Sequence, residues 1–420
     1  MSATDVKQWD YAALGDLAAF RNGVNYNKNN FGKGIKVINV KDFQDYSIAS
    51  YDDLDEINPH GVVREESLLQ DGDILFVRSN GNRDLIGRSL FIRGMKESVT
   101  HSAFTIRARI SSHLTLPRFY AYLFRSSTFR RNLSARGSGT NISNLNQDIL
   151  SQFKVPVPPI GTQRKIASIL SAYDDLIENN TRRIKILEEM AQALYREWFV
   201  HFRFPGHEKI KMVPSPLGPI PQGWHMVKLG SVADVNALSI KNGEQPEHVN
   251  YIDISSVSPG RIDKVEHLAY RDAPGRARRI VRHGDIIWST VRPNRRSYTL
   301  VLDPLPNLIV STGFAVITPN DVPFSYVYLA LTTDEFVGYL TNRARGSAYP
   351  AVNGGDFEGA DFLLPVPNVV ADFHSVAADI LVQCETLTQR NANLRRTRDL
   401  LLPKLILGEI DVSSLEKERV

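Results

Sequence analysis

The chain has 420 residues, enough for two globular domains with additional elements, and it carries a formal net charge of +4. This charge permits an anionic partner without requiring one. The single cysteine, Cys384, excludes a disulfide framework and a thiolate-cage zinc site. The sequence has neither an apolar signal segment nor a run of about 18 apolar residues, so we expect a cytoplasmic protein with no membrane partner.

The chain repeats itself at an interval of about half its length. Trp9–Ala18 returns as Trp224–Ala233, 215 positions later, and Gly72–Leu75 returns as Gly284–Ile287, 212 positions later. Further matches at an offset of 209 pair Arg136–Ser138 with Arg345–Ser347, Asn144 with Asn353, and Val155–Pro158 with Leu364–Pro367. The order is kept and the offset only shrinks, which predicts two copies of one unit that differ by loop deletions. The period is too long for a solenoid.

Each copy begins with short β-like runs that are separated by Gly, Asn and Asp. These runs are Ile35–Val40, Asp73–Val77, Ser89–Ile92 and Phe104–Ala108, and then Tyr251–Ile254, Asp285–Ser289 and Phe314–Thr318. Helix-like material at Arg118–Arg131 and Phe324–Leu340 interrupts them. The predicted class is therefore α+β, with a mainly β core in each copy.

Each copy ends in one long helix with a seam of mostly apolar positions that alternate steps of four and three. The first seam is Ile166, Leu170, Tyr173, Ile177, Asn180, Ile184, Leu187, Ala191, Leu194 and Trp198. The second is Phe373, Ala377, Ile380, Cys384, Leu387, Asn391, Leu394, Arg398, Leu401 and Leu405. This spacing is typical of a coiled coil and predicts that the two helices pack against each other, antiparallel. The alternative is an amphipathic helix that packs only on its own domain.

The segment Pro205–Gly223 separates the two copies, and its five prolines and three glycines in 19 residues predict a linker. The predicted boundaries are 1–160 and 224–370 for the globular domains, 161–204 and 371–410 for the helices, 205–223 for the linker and 411–420 for the tail. A helix from about Thr162 to Phe199 would span roughly 55 Å at 1.5 Å per residue. We therefore expect two pseudo-symmetric domains that are separated by an antiparallel pair of helices.

Motifs for catalysis are missing from the sequence. It contains no Gly-x-x-x-x-Gly-Lys-Ser/Thr phosphate loop. Its one Pro-Pro pair, Pro158-Pro159, follows Val157 and so lacks the Asn/Asp-Pro-Pro-aromatic form of amino-group methyltransferases. The ten histidines show no metal-ligand spacing. We expect no catalytic residue and no metal site.

Basic residues cluster in both copies. Eight arginines lie between Arg271 and Arg296, and five lie between Arg118 and Arg136, where aromatic residues alternate with them. A loop rich in Arg, Asn and Ser follows each Gly-Asp-Ile strand, and these side chains pair with guanine, adenine and phosphate. The predicted DNA contacts are Arg78, Ser79, Asn80, Asn82, Arg83, Arg136, Ser138, Asn141, Arg292, Asn294, Arg295, Arg296, Arg345, Ser347 and Asn353. The alternative is a solvated loop with charges that serve solubility.

These features together resemble the specificity subunits of type I restriction–modification systems. The residues that carry the resemblance are Asn141–Leu145, the run Val155–Ile166 with its Pro-x-Pro-Pro-x-x-x-Gln-x-x-Ile pattern, and the long helix that reaches Trp198-Phe199. The second copy is degenerate, with Asn368 where Pro159 stands and His374 or its neighbours in place of the Gln-Arg-Lys stretch. The order domain, helix, domain, helix extends the resemblance over the whole chain.

The resemblance implies two target-recognition domains, each reading one half of a split, asymmetric site in double-stranded DNA, with the paired helices setting the spacer. It implies two methyltransferase subunits as partners and, where the host has them, restriction subunits. S-adenosylmethionine, ATP and magnesium would then be bound by those partners and not by this chain, which would supply no catalytic residue. A two-headed coiled-coil scaffold that bridges proteins is the alternative function, and a self-contained enzyme with an unfamiliar site is a third.

Overall fold

The computed structural model describes residues 9–43, 48–135, 144–215, 218–241 and 243–413. The chain divides into two compact units. Unit 1 comprises Met1–Ile177 with Asn393–Val420, and unit 2 comprises Glu178–Ala392. Each of the two long helices therefore contributes one part to each unit, which differs from the sequence-based boundaries that treat the helices as separate domains.

Unit 1 contains short strands and short helices. Its strands are β1 Asp10–Ala13, β2 Ala18–Asn22, β3 Phe31–Ile38, β4 Asp55–Ile57, β5 Ile74–Val77, β6 Ser89–Phe91, β7 Val99–His101, β8 Thr105–Ile110 and β9 Lys154–Val157. Its short helices are α1 Pro117–Arg125, α2 Ser127–Ala135 and α3 Gln147–Ser151. The long helix α4, Ile160–Tyr195, begins in this unit and continues as a π-helical turn, Arg196–Val200.

Three sheets build unit 1. The largest is antiparallel with strand order β2-β8-β5-β6, a second has the order β4-β3-β7, with β3 and β7 parallel, and β1 pairs with β9. Apolar side chains of β5 and α1, including Phe76, Phe119 and Phe124, are fully buried between the largest sheet and the helices. Every residue of β5 is buried, as expected for a central strand that is covered on both faces.

Unit 2 repeats this inventory. Its strands are β10 Met212–Val213, β11 Ile220–Pro221, β12 His225–Lys228, β13 Ala233–Val235, β14 His248–Ile252, β15 Val257–Ser258, β16 Arg261–Ile262, β17 Glu266–Ala269, β18 Ala277–Ile280, β19 Ile286–Ser289, β20 Tyr298–Leu300, β21 Leu308–Ser311, β22 Phe314–Pro319 and β23 Asp361–Leu364. Its helices are α5 Phe324–Leu331, α6 Asp334–Arg343 and α7 Gly354–Glu358. The long helix α8, Pro367–Ile406, begins here.

The sheets of unit 2 have the topology of unit 1. The order β13-β22-β19-β20 corresponds to β2-β8-β5-β6, the order β17-β14-β21 corresponds to β4-β3-β7, and the pair β12-β23 corresponds to β1-β9. Unit 2 adds β18 beside β21. The internal duplication and the α+β class predicted from the sequence are therefore confirmed in the topology.

The predicted strands occur within a few residues of their expected bounds, but the two predicted helical regions are each broken in two. In unit 1 the break falls at Ser126, whose hydroxyl donates to the carbonyl oxygen of Leu123 and accepts from the backbone N–H of Phe129. In unit 2 the hydroxyl of Thr333 caps α6 by accepting from Phe336 N–H. Hydroxyl side chains at both breaks satisfy backbone groups that a continuous helix would have paired internally.

The offset between the copies near their ends is 207, not the 209 read from the sequence. Strand β9 pairs Val157 with Asp10, and β23 pairs Leu364 with His225, so Val157 and Leu364 are equivalent. The match of Val155–Pro158 with Leu364–Pro367 is consequently two residues out of register. The counterpart of Pro159 is likewise Val366 and not Asn368. The wrong match arose because both segments contain Pro-x-Pro, whereas the register of the strands is set by their pairing.

The Pro/Gly segment predicted as a linker is folded onto unit 2. Strand β10 pairs with β11, and Phe204, Ile220 and Trp224 are buried in the core of that unit. The ring of Phe204 stacks on Trp224 with a centroid distance of 5.2 Å. The helical segment ends at Val200, before the first of these prolines, and within the Pro/Gly segment Ile220 is part of a core while Ile210 and Met212 are exposed.

The two long helices run antiparallel where they meet in each unit. In unit 1 Asp174 of α4 contacts Arg398 of α8. In unit 2 the amide of Asn180 donates to Asn391 Oδ1 at 3.0 Å, and Cys384 Sγ lies 4.0 Å from the carbonyl oxygen of Ile184. The predicted seam positions are all buried or half-buried. Along the described helices, no stretch has both the length and the apolarity needed to span a bilayer.

Candidate nucleic-acid interface

The loop that follows β5 in unit 1 is anchored through its first residue. The backbone N–H of Arg78 donates to Phe104 O at 2.8 Å, and Arg78 O accepts from Leu145 N at 2.8 Å. Its side chain is half-buried, as is that of Ser79. Unit 2 has a hydrogen bond equivalent to that between Leu145 and Arg78, because Val352 N donates to Thr290 O at 2.9 Å. The structural counterpart of Arg78 is therefore Thr290, although both loops leave the central strand at the same place.

Two asparagines shape the tip of this loop. Asn80 Oδ1 accepts from the backbone N–H of Asn82 at 2.8 Å, and Asn82 Oδ1 accepts from that of Asp84 at 3.0 Å. Such turns use the carbonyl oxygen of the side chain and leave the two N–H donors of each amide available. Both side chains are exposed, and no described residue accepts from these donors. The amides of this loop can therefore donate to an external acceptor.

An aromatic residue that the sequence analysis missed lies beside this loop. Phe104 is 61% exposed and lines a concave surface together with Ser79, Asn80 and Lys41. Lys41 forms an ion pair with Asp55 at 2.7 Å and stays more than half exposed. The sequence places Phe104 in a strand with Ile106 and Ala108 on its buried face, whereas β8 begins only at Thr105. An exposed ring beside a cation and amide donors suits contact with a base or a sugar.

The corresponding loop of unit 2 is held in an uncommon backbone conformation. Arg292 and Arg296 have φ values of 52° and 57°, and they flank the single helical turn Pro293–Arg295. Positive φ is rare for a residue with a Cβ and is maintained only where the surroundings enforce it. Here the backbone N–H of Arg292 donates to Pro350 O at 2.7 Å, which ties the loop to a neighbouring one. The loop therefore presents its side chains in a fixed arrangement.

A cation–π contact joins the two loops of unit 2. The guanidinium carbon of Arg292 lies 4.7 Å from the ring centroid of Tyr349, and its Nη2 donates to Ala348 O at 3.0 Å. Tyr349 is 70% exposed, so the contact lies at the surface. Sequence reasoning missed Tyr349, and the available signal was an aromatic residue in a loop of Gly, Ser, Ala and Pro. An arginine that is oriented by an aromatic ring loses less side-chain freedom when it binds a guanine or a phosphate.

The predicted residues of this loop differ in availability. Asn294 and Arg295 are exposed. Arg296 is ion-paired with Asp334 at the start of α6, and the hydrogen bond that it donates there raises the pKa of its guanidinium. Arg296 therefore also holds the loop against α6, and the DNA contact predicted for it stays a prediction.

The other predicted DNA contacts of unit 2, Arg345, Ser347 and Asn353, also differ in their surroundings. Arg345 contacts Asp356 at 3.3 Å and remains largely exposed, and Ser347 is exposed. Asn353 is exposed and has a local role, because its Oδ1 accepts from Asp356 N–H and caps α7, and the DNA contact predicted for it stays a prediction. Its counterpart is Asn146, which caps α3, and not Asn144. A capping residue is a structural requirement of both copies.

Some predicted contacts cannot be placed. Arg136, Ser138 and Asn141 lie outside the described residues, and so do residues Asn141–Ser143 of the family motif. Arg83 begins a single helical turn, Arg83–Leu85, and only its backbone is described. The DNA contacts assigned to these residues remain predictions.

The aromatic residues that alternate with the arginines between Arg118 and Arg136 are core residues. They are at most 4% exposed and pack on one another, as in the pair Phe124–Phe129 at 4.7 Å. The arginines between 271 and 296 are also dispersed. Arg276 pairs with Asp253 at 2.6 Å, and the guanidinium of Arg278 contacts the Tyr270 ring. These arginines are close together in the sequence but do not form a single basic patch on the described surface.

A buried carboxylate precedes each candidate loop. Asp73 Oδ2 accepts from Gln70 N–H at 2.8 Å and pairs with Arg109 at 2.7 Å. Asp285 Oδ2 accepts from Arg282 N–H at 2.7 Å, and its Oδ1 accepts from the Thr318 hydroxyl at 2.7 Å. Burial raises the pKa of Asp285. Both carboxylates close the turn that leads into the central strand, which is a common role of aspartate in turns.

The Gln of the Pro-rich junction organises unit 1 around the start of α4. Gln163 is fully buried, and its Oε1 accepts from Leu116 N–H at 2.8 Å. Its Nε2 donates to Leu114 O at 2.8 Å and to Pro158 O at 2.7 Å. The counterpart in unit 2 is the buried Val370, and His374 on the next turn instead bonds to the Ser325 hydroxyl at 2.8 Å. The junction motif is thus a structural joint in unit 1, which has been replaced in unit 2.

Comparison with known proteins agrees with the resemblance carried by these motifs. A family model described as the type I restriction modification DNA specificity domain matches residues 6–189. Over 427 residues the chain is 23% identical to the type I restriction enzyme MjaIX specificity subunit of Methanocaldococcus jannaschii, covering 97% of this chain and 95% of that protein. It is 22% identical over 415 residues to the HindI specificity subunit of Haemophilus influenzae, covering 81% and 87%.

A solved structure has a similar fold. The S subunit of a type I restriction–modification system from M. genitalium aligns with a TM-score of 0.57 at 14% sequence identity, covering 96% of this chain and 98% of that one. At this identity the likeness concerns the fold alone. Both copies of the repeated unit lie within the aligned region because the coverage extends over almost the whole chain.

Proposed function

We propose a function that proceeds from one premise: this chain belongs to the family of type I restriction–modification specificity subunits. DNA recognition and complex assembly are the role of that family, and its members are generally non-catalytic. We propose that this chain reads a bipartite, asymmetric site in double-stranded DNA. Unit 1 reads one half-site and unit 2 reads the other.

One observation carries this proposal. The same sheet topology occurs twice, and in each copy an exposed, anchored loop with amide and guanidinium donors leaves the central strand at the same place. In unit 1 this surface is formed by Arg78, Ser79, Asn80 and Asn82, with Lys41 and Phe104 beside them. In unit 2 it is formed by Arg292, Asn294, Arg295, Arg345 and Ser347, with Tyr349. The two sets differ in composition, which suits two half-sites of different sequence.

The chemistry of the two surfaces suggests a division of roles. Exposed guanidinium groups can bind guanine O6 and N7 in a bidentate manner or contact a phosphate, and asparagine amides can pair with adenine. Serine hydroxyls and Lys41 suit phosphate oxygens. With a net charge of only +4, phosphate attraction by this chain alone would contribute modest affinity. Partner subunits would therefore complete the grip on the duplex.

We further propose that two methyltransferase subunits bind this chain and modify adenine with S-adenosylmethionine. Restriction subunits, where the host has them, would add translocation and cleavage that depend on ATP and magnesium. This chain would bind none of these cofactors and would contribute no catalytic residue. The paired helices α4 and α8 would set the length of the unread spacer between the half-sites.

The test uses the chain with and without its methyltransferase subunit. Alone, it should show no methyl transfer, cleavage or ATP hydrolysis. With the partner it should methylate adenine at a split site and bind duplex with an affinity that falls as salt rises. Salt-independent association with proteins and no duplex binding would favour the scaffold alternative. Methyl transfer by the chain alone would overturn the non-catalytic assignment.

A further inference from the structure

A buried ion pair joins α4 to α8 in unit 1. Asp174 of α4 is 6% exposed and accepts from Arg398 Nη1 of α8 at 2.5 Å. Its other oxygen accepts from the Tyr122 hydroxyl at 2.7 Å and from Arg125 Nη1 at 3.4 Å. Arg398 also pairs with Asp399 at 2.8 Å. A carboxylate buried to this degree is costly unless a cation and hydrogen bonds compensate it, as they do here.

The second copy lacks this ion pair. At the offset of 207 that relates the long helices, the counterpart of Asp174 is Leu381 and the counterpart of Arg398 is Ala191. A charged residue on each helix is thus replaced by an apolar one. The seam is therefore polar at this point in unit 1 and apolar in unit 2.

The short helices α1 and α5 confirm which residues are equivalent around this point. Their offset is 206, because the hydroxyls of Tyr120 and Tyr326 donate to Pro156 O and Leu363 O, which are equivalent positions of β9 and β23. The counterpart of Tyr122 is consequently Tyr328.

A cavity marks the place in unit 2 where the charged group is missing. A space of about 150 Å³ is lined by residues that include Ala191, Leu381 and Tyr328. No described residue accepts a hydrogen bond from the Tyr328 hydroxyl, which corresponds to the hydroxyl that binds Asp174 in unit 1. The small side chain of Ala191, in place of an arginine, leaves this space unfilled.

We propose that the Asp174–Arg398 pair determines which helices pair, by making the contact of α4 with α8 more favourable than the contact of either helix with a second copy of itself. The two helices have the same seam spacing, so antiparallel α4–α4 and α8–α8 pairs between two chains compete with the native one. In an α4–α4 pair, Asp174 would face Ala191. In an α8–α8 pair, Arg398 would face Leu381. Each homotypic pair loses the contact between Asp174 and Arg398, so that Asp174 keeps only Tyr122 and Arg125 and Arg398 keeps only Asp399, whereas the α4–α8 pair has all of these contacts.

This inference concerns helix pairing and does not rest on DNA reading by either unit. A polar residue at a single seam position is an established means of fixing partner and register in coiled coils at some cost in stability. The Asn180–Asn391 contact of unit 2 is amide to amide and carries no charge, so it discriminates less strongly. The ion pair of unit 1 is therefore the stronger determinant of pairing.

Charge exchange within the full chain gives the first test. Asp174→Arg places two arginines at the contact, and Arg398→Asp places two carboxylates there, so each variant should unfold at a lower temperature. The double variant D174R/R398D restores opposite charges across the helix contact but sets a guanidinium beside Arg125, so it should recover part of the lost midpoint. A double variant that is as unstable as the sum of the two single variants would show that the residues serve packing alone and would overturn the proposal.

Co-expression gives the second test and measures pairing directly. One chain carries D174R and another carries R398D, each with its own affinity tag. Within either chain, α4 and α8 then meet with like charges. If the two chains exchange their second halves, each α4 meets an α8 of opposite charge. We expect the two tags to co-purify at near-equal amounts as a dimer by light scattering, also where neither variant accumulates alone. Two wild-type chains with the same tags should not co-purify. Failure of the charge variants to associate, or equal association of the wild-type chains, would refute pairing control.

Discussion

Replacement of Gln163 by Leu tests the structural joint that the Pro-rich motif forms in unit 1. The substitution keeps a side chain of similar size but removes the acceptor of Leu116 N–H and the donor to two carbonyl oxygens. Because Gln163 is fully buried, water does not replace these partners. An unpaired buried N–H costs about 1–3 kcal/mol, and with the two carbonyl groups the expected loss is on the order of 3 kcal/mol.

The assay is urea unfolding combined with amide hydrogen exchange of a peptide that spans residues 110–120. A loss of about 3 kcal/mol corresponds to an exchange rate at Leu116 that is higher by roughly 100-fold. The matched control is Arg164→Ala, which alters the next residue of the same helical turn at an exposed position and should change neither quantity appreciably. Unchanged exchange at Leu116 in Gln163→Leu would refute the argument that this side chain holds the loop.

Two further predictions concern histidine and asparagine side chains in the two units. Burial lowers the pKa of His101 to about 3. Below about pH 6.5 the histidine of the unfolded chain therefore binds a proton, whereas that of the folded chain stays neutral. The free energy of unfolding, measured with urea, should fall by about 2 kcal/mol between pH 7 and pH 5. His101→Asn should remove this pH dependence, and the control His113→Gln, at an exposed position, should keep it. If the pH dependence survived in His101→Asn, it would not arise from His101. Changing Asn180 and Asn391 together to Leu should raise the midpoint of thermal unfolding, because a buried amide pair is replaced by apolar contacts. A clear fall of this midpoint, measured by calorimetry, would refute the idea that the asparagines serve only to fix the register of the helices.

Sequence reasoning predicted the duplication, the α+β class and the strands because these depend on local patterns. The Gly-Asp-Ile run precedes a buried strand in both copies, and in the structure Asp73 and Asp285 close the turn that enters it. The steps of four and three along the long helices similarly mark residues that are buried or half-buried in the structure. Periodicity is a property of neighbours in sequence and needs no knowledge of distant contacts.

What the sequence could not predict depends on contacts between distant residues. The hydrogen bonds of Ser126 and Thr333 break two helices that seemed continuous, and an ion pair with Asp334 occupies Arg296. The exposure of Phe104 and Tyr349 likewise follows from how the loops are anchored and not from their own residue types. The sequence therefore predicts the loops that follow the central strands, and the exposure of their individual side chains is known only from the structure.

The separate reading of two half-sites is tested most directly by sequencing the methylated DNA that substituted chains produce with their methyltransferase partner. Asn80→Ala in unit 1 and Asn294→Ala in unit 2 should each relax the sequence of one half-site and leave the other unchanged, with a cost of about 1–3 kcal/mol where a base contact is lost. Arg396→Ala, at an exposed position of α8 outside both loops, should leave the methylated site as it is. If the substitution in unit 2 degraded the half-site of unit 1, or if both variants methylated the wild-type site with unchanged affinity, the assignment of one half-site to each unit would be contradicted.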